Sequence, residues 1–219
     1  MVINCETLGN EDAWLAARRI VGGSDAASVI GMNPYKSNIE LWQEKTGRKK
    51  PDDLSDDAAV RYGKAAEEHL RELFKLDYPN IEVGYFPFNL WTNDRYPWAH
   101  ASLDGWLIDE ANNRWGVLEI KTATISGAAQ GAKWKDQQIP QNYYCQVLHY
   151  LAITGASFAI LTALLRYEIE GEEPWSKIKH YRIDRSDEIN DQIKYLMDAE
   201  EHFAEHVRLD TEPPLIFDI

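Results

Sequence analysis

Apolar residues recur along this chain with two periods, and the switches between them mark its elements. Helical spacing governs Glu11 to Arg19, with Trp14 and Ala17 or Arg18 on one side. It returns over Ala58 to Tyr78 through Val60, Leu70, Leu73, Phe74 and Leu76, and again over 140–155 and 186–208. Runs rich in aromatic and β-branched residues predict strands at Ile81 to Leu90, Tyr96 to Ala101, Phe158 to Leu165 and His180 to Ile183. Two further runs, Trp106-Leu107-Ile108 and Val117 to Ile120, are joined by the polar stretch Asp109 to Arg114 and predict a β-hairpin. Punctuation agrees. Ser24 or Asp25 suits the N-cap of a helix at Ala26 to Ile30. Ser37 and Glu40 form a capping box whose helix ends near Gly47, and Pro140 and Gly155 bracket the 140–155 helix. Pro51 to Asp57 reads as an exposed acidic loop, Thr122 to Lys135 as a mobile polar segment, and Pro213-Pro214 as the end of the fold. Helices and strands thus mix around a central sheet, an α/β (α+β) architecture with a helix before the hairpin and another after it.

The hairpin concentrates the candidate chemistry. Asp104 stands beside Gly105 at the start of its first strand. Glu119 and Lys121 lie two apart on the second, so alternation puts them on one face and Ile120 on the other. Antiparallel pairing returns the Asp104 end of one strand towards the Glu119 end of its partner. Mg²⁺ takes hard oxygen ligands and uses only one or two carboxylates, leaving the rest to water and phosphate. Asp104, Glu119 and the backbone carbonyl of Ile120 are candidate ligands, with Mn²⁺ as an alternative ion. Lys121 beside a cation is expected to have a lowered pKa, fitting it to orient or deprotonate a water or to neutralise charge on a phosphate. A solvated strand face explains Glu119-x-Lys121 alone, but not its company with Asp104-Gly105 at hairpin spacing.

Two further stretches offer contacts. Gly22-Gly23-Ser24-Asp25 opens a helix and suggests backbone N–H groups for an anion. Arg18 or Arg19 would add a bidentate contact to a 5′-phosphate or backbone phosphate, although an ordinary capped loop fits the same residues. On the 140–155 helix Tyr143, Gln146 and Tyr150 share a stripe. A glutamine in so apolar a helix needs a partner, which a water or a phosphate oxygen could supply. Lys133-Trp134-Lys135 suits base stacking with phosphate contact, or a packed tryptophan. Arg48-Lys49-Lys50 is either a DNA contact or a solvated helix end. His100 precedes the hairpin and is left outside the catalytic set.

Composition bounds the rest. A chain of 219 residues, 44% apolar, is read as one domain over 1–219, with its core at about 14–208 and an acidic helix at 186–208. No apolar run is long enough to span a bilayer and the first ten residues lack a signal-peptide pattern, so a cytoplasmic location is expected. Cys5 and Cys145 read as unpaired thiols. A net charge of −13 speaks against nucleic-acid binding, but its distribution weakens that objection. Residues 168–219 carry 15 acids against 6 basic residues, and Asp52, Asp53, Asp56 and Asp57 account for the remaining excess.

In order and spacing, several blocks resemble the YqaJ-like phage recombinase group of the PD-(D/E)XK nucleases, to which lambda exonuclease is similar. They are Arg18 to Asp25, Gly31 to Tyr35 with Leu41 to Gly47, Tyr62-Gly63 with Glu67, Ser102 to Gly105, Leu118 to Lys121, and Ile139 to Gln146. The resemblance implies a restriction-endonuclease-like core and a Mg²⁺-dependent deoxyribonuclease acting 5′-to-3′ on double-stranded DNA ends. It adds Glu67 to the metal site, with two ions in all, and Gln146 to the active-site motif, with Tyr143 as its associate. It also implies phage-type homologous recombination beside a single-strand annealing protein, and a homotrimer. The rival readings are an endonuclease or nickase on the same core, and a non-catalytic DNA-end-binding module.

Overall fold

The computed structural model describes residues 2–171 and 173–216. Met1, Glu172 and 217–219, which the single-domain reading includes, lie outside the described residues. Strand β1 (Ile3–Thr7) and helix α1 (Glu11–Ala17) lead into β2 (Val21–Gly22), the single turn α2 (Ala26–Val29), α3 (Asn38–Lys45) and the long α4 (Ala58–Asp77). Strands β3 (Glu82–Gly84), β4 (Asn89–Asn93), β5 (Ala99–His100), β6 (Gly105–Asp109) and β7 (Arg114–Ile125) follow, then α5 (Ala128–Ala132), α6 (Gln141–Thr154), β8 (Phe158–Tyr167), β9 (Trp175–Asp184) and α7 (Asp187–Arg208). The central sheet has the order β3-β6-β7-β8-β9, antiparallel throughout except where β7 and β8 run parallel with α6 as their crossover. Two small ladders, β1 with β4 and β2 with β5, flank it.

The hairpin forms as its pattern predicts. Gly105 pairs with Leu118 and Asp109 with Arg114, around a short 3₁₀ turn closed by Asn113 in the left-handed region at φ 49°. Alternation then sorts β7 by face. Leu118 and Ile120 pack with Leu70 and Phe74 of α4, whose burial contributes roughly 2 kcal/mol each. Val117 points to the opposite side, into the larger core beneath α6 and α7. Glu119 and Lys121 share that side, so the sheet delivers them to α6.

Caps explain the helix starts. Ser37 Oγ accepts from Glu40 N at 3.2 Å while Glu40 returns a bond to Ser37 N at 3.1 Å, and Asp57 caps α4 through Ala59 N and Val60 N. Gly155 ends α6 at φ 67°.

Several expectations are corrected. The strand expected over Ile81 to Leu90 divides between two sheets, because Phe88 turns the chain at φ 54° between β3 and β4. The segment Thr122 to Lys135 is not a loose loop. β7 continues to Ile125 beside β8, α5 follows, and Trp134 is buried against Tyr143 and Tyr181, with its carbonyl accepting from Tyr181 Oη at 2.8 Å. Trp134 is therefore a core residue and not a base-stacking platform. Strand β9 extends well before His180, its exposed Lys and Ser positions suiting an edge strand. Arg48 and Lys49 pair with Asp210 and Glu40, so that cluster is a paired helix end.

Candidate active site

A cleft of about 1270 Å³ opens between α4 and the N-terminal half of α6, over the β6 and β7 strands. It brings together Glu67, Asp104, Ile120, Lys121, Tyr143 and Gln146, with Arg18 and Ser24 also on its wall. Glu119 lies behind Lys121 and is 1% exposed. Lys121 Nζ donates to Glu119 Oε1 at 2.6 Å, while Glu119 Oε2 is buried without a hydrogen-bond partner. Asp104 Oδ2 accepts from Ile120 N at 2.8 Å. A strand residue's N–H and C=O leave the chain on the same side, so the Ile120 carbonyl faces the Asp104 edge as well.

Three carboxylates beside one ammonium leave this floor with excess negative charge. Burial first, then the Asp104 charge, pushes Glu67 up to about 7 and Glu119 up to about 8. Burial likewise raises Asp104, against the pull of Lys121. Burial alone would lower Lys121, but Glu119 and Asp104 outweigh it and hold the ammonium above its ordinary value. Beside these acids the lysine is a firmly charged cation; the lowering expected of it applies beside a bound cation. Among the described residues no three His, Cys, Asp or Glu side chains converge into a ready cage. Lys121 holds one oxygen of Glu119, and Asp104 is tied to Ile120 N. The donor set nevertheless fits a hard divalent cation. It is all oxygen, over-charged, and carries an orphaned buried carboxylate oxygen that water does not reach.

Around this floor the sequence expectations divide. Gln146 is buried, and its partner is Tyr150, whose hydroxyl accepts from Nε2 at 2.8 Å. Tyr143 lies beside the floor, 5.2 Å from Lys121 Nζ to the ring centre. Arg18 lines the cleft, its guanidinium 4.7 Å from the Trp14 ring centre, whereas Arg19 does not line it. Asp25 stands at the start of α2 without capping it. Its carboxylate takes Gly22 N at 3.0 Å and Lys45 Nζ at 2.6 Å, so the Gly22 N–H is not free for an anion. Glu67 and Arg71 form no ion pair. Arg71 instead donates from Nε to the Asp104 carbonyl at 2.9 Å.

Two polar residues, His149 and Glu200, escaped the sequence reading, and a third, His100, which it noted only for its place before the hairpin, lines the cleft. His100 is buried, and burial followed by the Arg18 charge pushes its pKa down to about 3. Its Nε2 meets Arg18 Nε and its Nδ1 meets Arg19 N, both at 3.1 Å, and a neutral ring accepts at only one of them. His149 lies fully buried between Glu200 Oε1 and the His100 carbonyl, each at 2.8 Å. Glu200 had a signal that could have found it. It interrupts the apolar stripe Ile193, Leu196, Met197, Phe203, Ala204 of α7 at the helical period, where an acid needs a buried partner.

Comparison with known proteins bears on the family and the fold. The model of the YqaJ-like viral recombinase domain matches residues 13–157. The chain is similar to protein YqaJ of Bacillus subtilis (strain 168), 31% identical over 190 residues that cover 84% of this chain and 53% of that protein. It is also similar to protein D345L of African swine fever virus (strain Badajoz 1971 Vero-adapted), 44% identical over 74 residues, 33% of this chain and 21% of the relative. It thus spans about half the length of YqaJ. Among solved structures, an alkaline exonuclease (LHK-Exo) from Laribacter hongkongensis superposes with a TM-score of 0.61 at 18% identity, covering 91% of this chain and 95% of that one. A phage-related exonuclease from Haemophilus somnus 129PT gives 0.54 at 12%, covering 90% and 98%. These two likenesses concern the fold, a mixed sheet flanked by helices with the hairpin at its centre. With two-thirds of its length matched by the family model and the hairpin block inside that match, this chain belongs to the YqaJ-like viral recombinase domain family.

Proposed function

We propose that this protein is a metal-dependent DNA exonuclease that works 5′-to-3′ from double-stranded ends in phage-type homologous recombination. The observation that carries the reading is the trio Glu67, Asp104 and buried Glu119 around Lys121 on the floor of an open cleft. Support comes from the solved relatives, which are described as exonucleases, one of them also solved in complex with dAMP. Asp104, Glu119, the Ile120 carbonyl and Glu67 would hold Mg²⁺, or Mn²⁺ in its place, as two ions. When bound, the metal supplies Lewis acidity at the phosphoryl group and favours deprotonation of water near neutral pH.

The chain's own groups do the rest. Lys121, already charged, sits where negative charge develops on the attacked phosphate and stabilises it without reorganising. Gln146 keeps its carbonyl oxygen to orient the attacking water, its amide being held by Tyr150. Tyr143 lines the same wall beside Lys121 and flanks the strand being cut. Arg18, which lines the cleft together with Ser24, takes the terminal 5′-phosphate in preference to Arg19, which does not line it. A single-strand annealing protein as partner, a homotrimer as assembly, one domain over 1–219 and a cytoplasmic setting complete the reading. No described helix is long and apolar enough to cross a membrane.

Digestion of a linear duplex labelled at either end, with Mg²⁺ or EDTA and beside a closed circle, tests it. Release of 5′-terminal mononucleotides from the linear DNA, with Mg²⁺ only, is the expected result. Cutting of the circle would replace it with an endonuclease, and binding without cleavage would leave a DNA-end-binding module.

A further inference from the structure

Arg71 is a buried cation without a counter-ion. It is 6% exposed, on the turn of α4 after Glu67, and among the described residues it makes no ion pair. Its one hydrogen bond uses Nε, donated to the Asp104 carbonyl at 2.9 Å. The face of its guanidinium lies 3.7 Å from the ring centre of Tyr85, an exposed residue of the loop between β3 and β4 that rims the cleft. Both terminal nitrogens are left without a hydrogen-bond partner among the described residues, on the wall that also carries Glu67, Asp104 and Lys121. Neither terminal nitrogen is among the fully buried orphaned atoms of the described residues, so both present their N–H groups to the open cleft, where acceptors can reach them. The nearby acids do not supply them.

We propose that Arg71 is a backbone-phosphate clamp, anchored by Asp104 and Tyr85 and presenting its terminal N–H groups to a phosphate next to the one being cut. The inference rests on the nuclease reading and names a substrate contact that reading does not contain. Arginine alone suits the position. One nitrogen ties the side chain to the hairpin, the planar face stacks on an aromatic ring, and two nitrogens remain in fork geometry for a phosphate. A lysine keeps the charge and loses the anchor and the fork.

The test compares wild type with Arg71→Lys and Arg71→Gln. Duplex binding is measured by fluorescence anisotropy in EDTA over a range of KCl. Cleavage is measured with Mg²⁺, Mn²⁺ affinity by calorimetry, and folding by thermal melting. Arg71→Lys is expected to weaken DNA binding about 10-fold and Arg71→Gln more. The glutamine variant should also lower the slope of log affinity against log salt by about 0.9, the value for one phosphate contact on duplex DNA. Mn²⁺ affinity should stay within about 2-fold in Arg71→Lys. Unchanged DNA binding in both variants overturns the clamp, as does a loss of Mn²⁺ affinity with DNA binding intact, which would reduce Arg71 to a prop for Asp104. Should Arg71→Gln fail to fold, Arg71→Lys and Tyr85→Ala decide the matter, the latter expected to weaken binding by several-fold. Wild type that binds no DNA would overturn the nuclease reading itself, whereas DNA binding that ignores Arg71 overturns this inference alone.

Discussion

Two buried acid–base pairs sit on opposite sides of α6, and they look alike. Glu119 holds Lys121 at 2.6 Å and Glu200 holds His149 at 2.8 Å. Each glutamate is almost wholly buried and each keeps one oxygen without a partner. Their surroundings differ. Glu119 has Asp104 and Glu67 for neighbours and a cation that reaches the cleft wall. Glu200 has apolar side chains and a histidine whose other nitrogen is spent on the His100 carbonyl. Burial and an unsatisfied carboxylate are therefore not enough to mark a reactive site. What sets the proposed site apart is surplus like charge facing open space, because that surplus can be relieved only by something that arrives. The Glu200–His149 pair is closed on itself and locks α7 to α6 and to β5.

The sharpest separation comes from neutralising each acid in place. Asp104→Asn or Glu119→Gln should cut DNA cleavage by about 10³-fold or more, the scale of losing a preorganised charge in an active site. Melting temperature should hold or rise, since a buried, repelled carboxylate has been removed. Glu200→Gln should do the reverse. Breaking a buried pair from one side costs about 3–5 kcal/mol, so the melting temperature should fall steeply while kcat per folded molecule persists. The double substitution Glu200→Leu with His149→Leu should recover much of that loss, because two apolar groups leave no orphaned charge. Comparable activity loss in the Glu200→Gln and Glu119→Gln variants, measured on folded protein, would erase the distinction.

Acidity separates the pairs more gently. Glu67 and Glu119 titrate near 7 and 8 in the folded chain, well above their ordinary range, so the native state keeps protons that the unfolded chain has released. That contribution is complete below about pH 4.3 and is lost as pH climbs through 7 and 8. In EDTA, stability should therefore decline between about pH 5 and 8, and Mg²⁺ added at pH 8 should restore it by binding the deprotonated acids. Differential scanning calorimetry across that range would show both effects. Glu119→Gln should flatten the decline, and a slope unaltered by that substitution would place its origin elsewhere.

The hairpin and its acids were legible in the sequence because period-2 alternation is a local rule. Once Val117 to Ile120 is a strand, Glu119 and Lys121 must share a face. Caps at Ser37, Pro140 and Gly155 were legible for the same reason. The second pair was not, since Glu200 and His149 meet across 51 residues and no local rule joins them. The expected mobile loop failed because small residues at Ala123, Ala128 and Gly131 suggested slack, while the length of β8 beside β7 and a core socket for Trp134 decided the outcome. Helical spacing puts Arg71 within i,i+4 reach of Glu67, yet it bonds the Asp104 carbonyl and stacks on the Tyr85 ring instead. Arg18 and Arg19 both meet the His100 ring, and the β2–β5 ladder and the His149 bond to the His100 carbonyl, which hold that residue, are long-range contacts that no local rule reveals.

The finest probe of the comparison is α6 itself, which carries Gln146 and Tyr150 towards one pair and His149 towards the other. Tyr150 packs its ring against Gly23, where an added Cβ would come within 2.3 Å, and its hydroxyl accepts from Gln146. Tyr150→Phe keeps the ring and deletes only that acceptor, so stability should fall by about 1 kcal/mol, the net value of one hydrogen bond. If the Tyr150 bond is what aims Gln146 at the reacting water, kcat should drop by several-fold with KM unchanged, since ground-state DNA contacts lie elsewhere in the cleft. The His149–Glu200 pair, one helix face away, should not register the change, and the histidine's NMR titration should match wild type. A shift there would mean that α6 couples the two regions instead of insulating them.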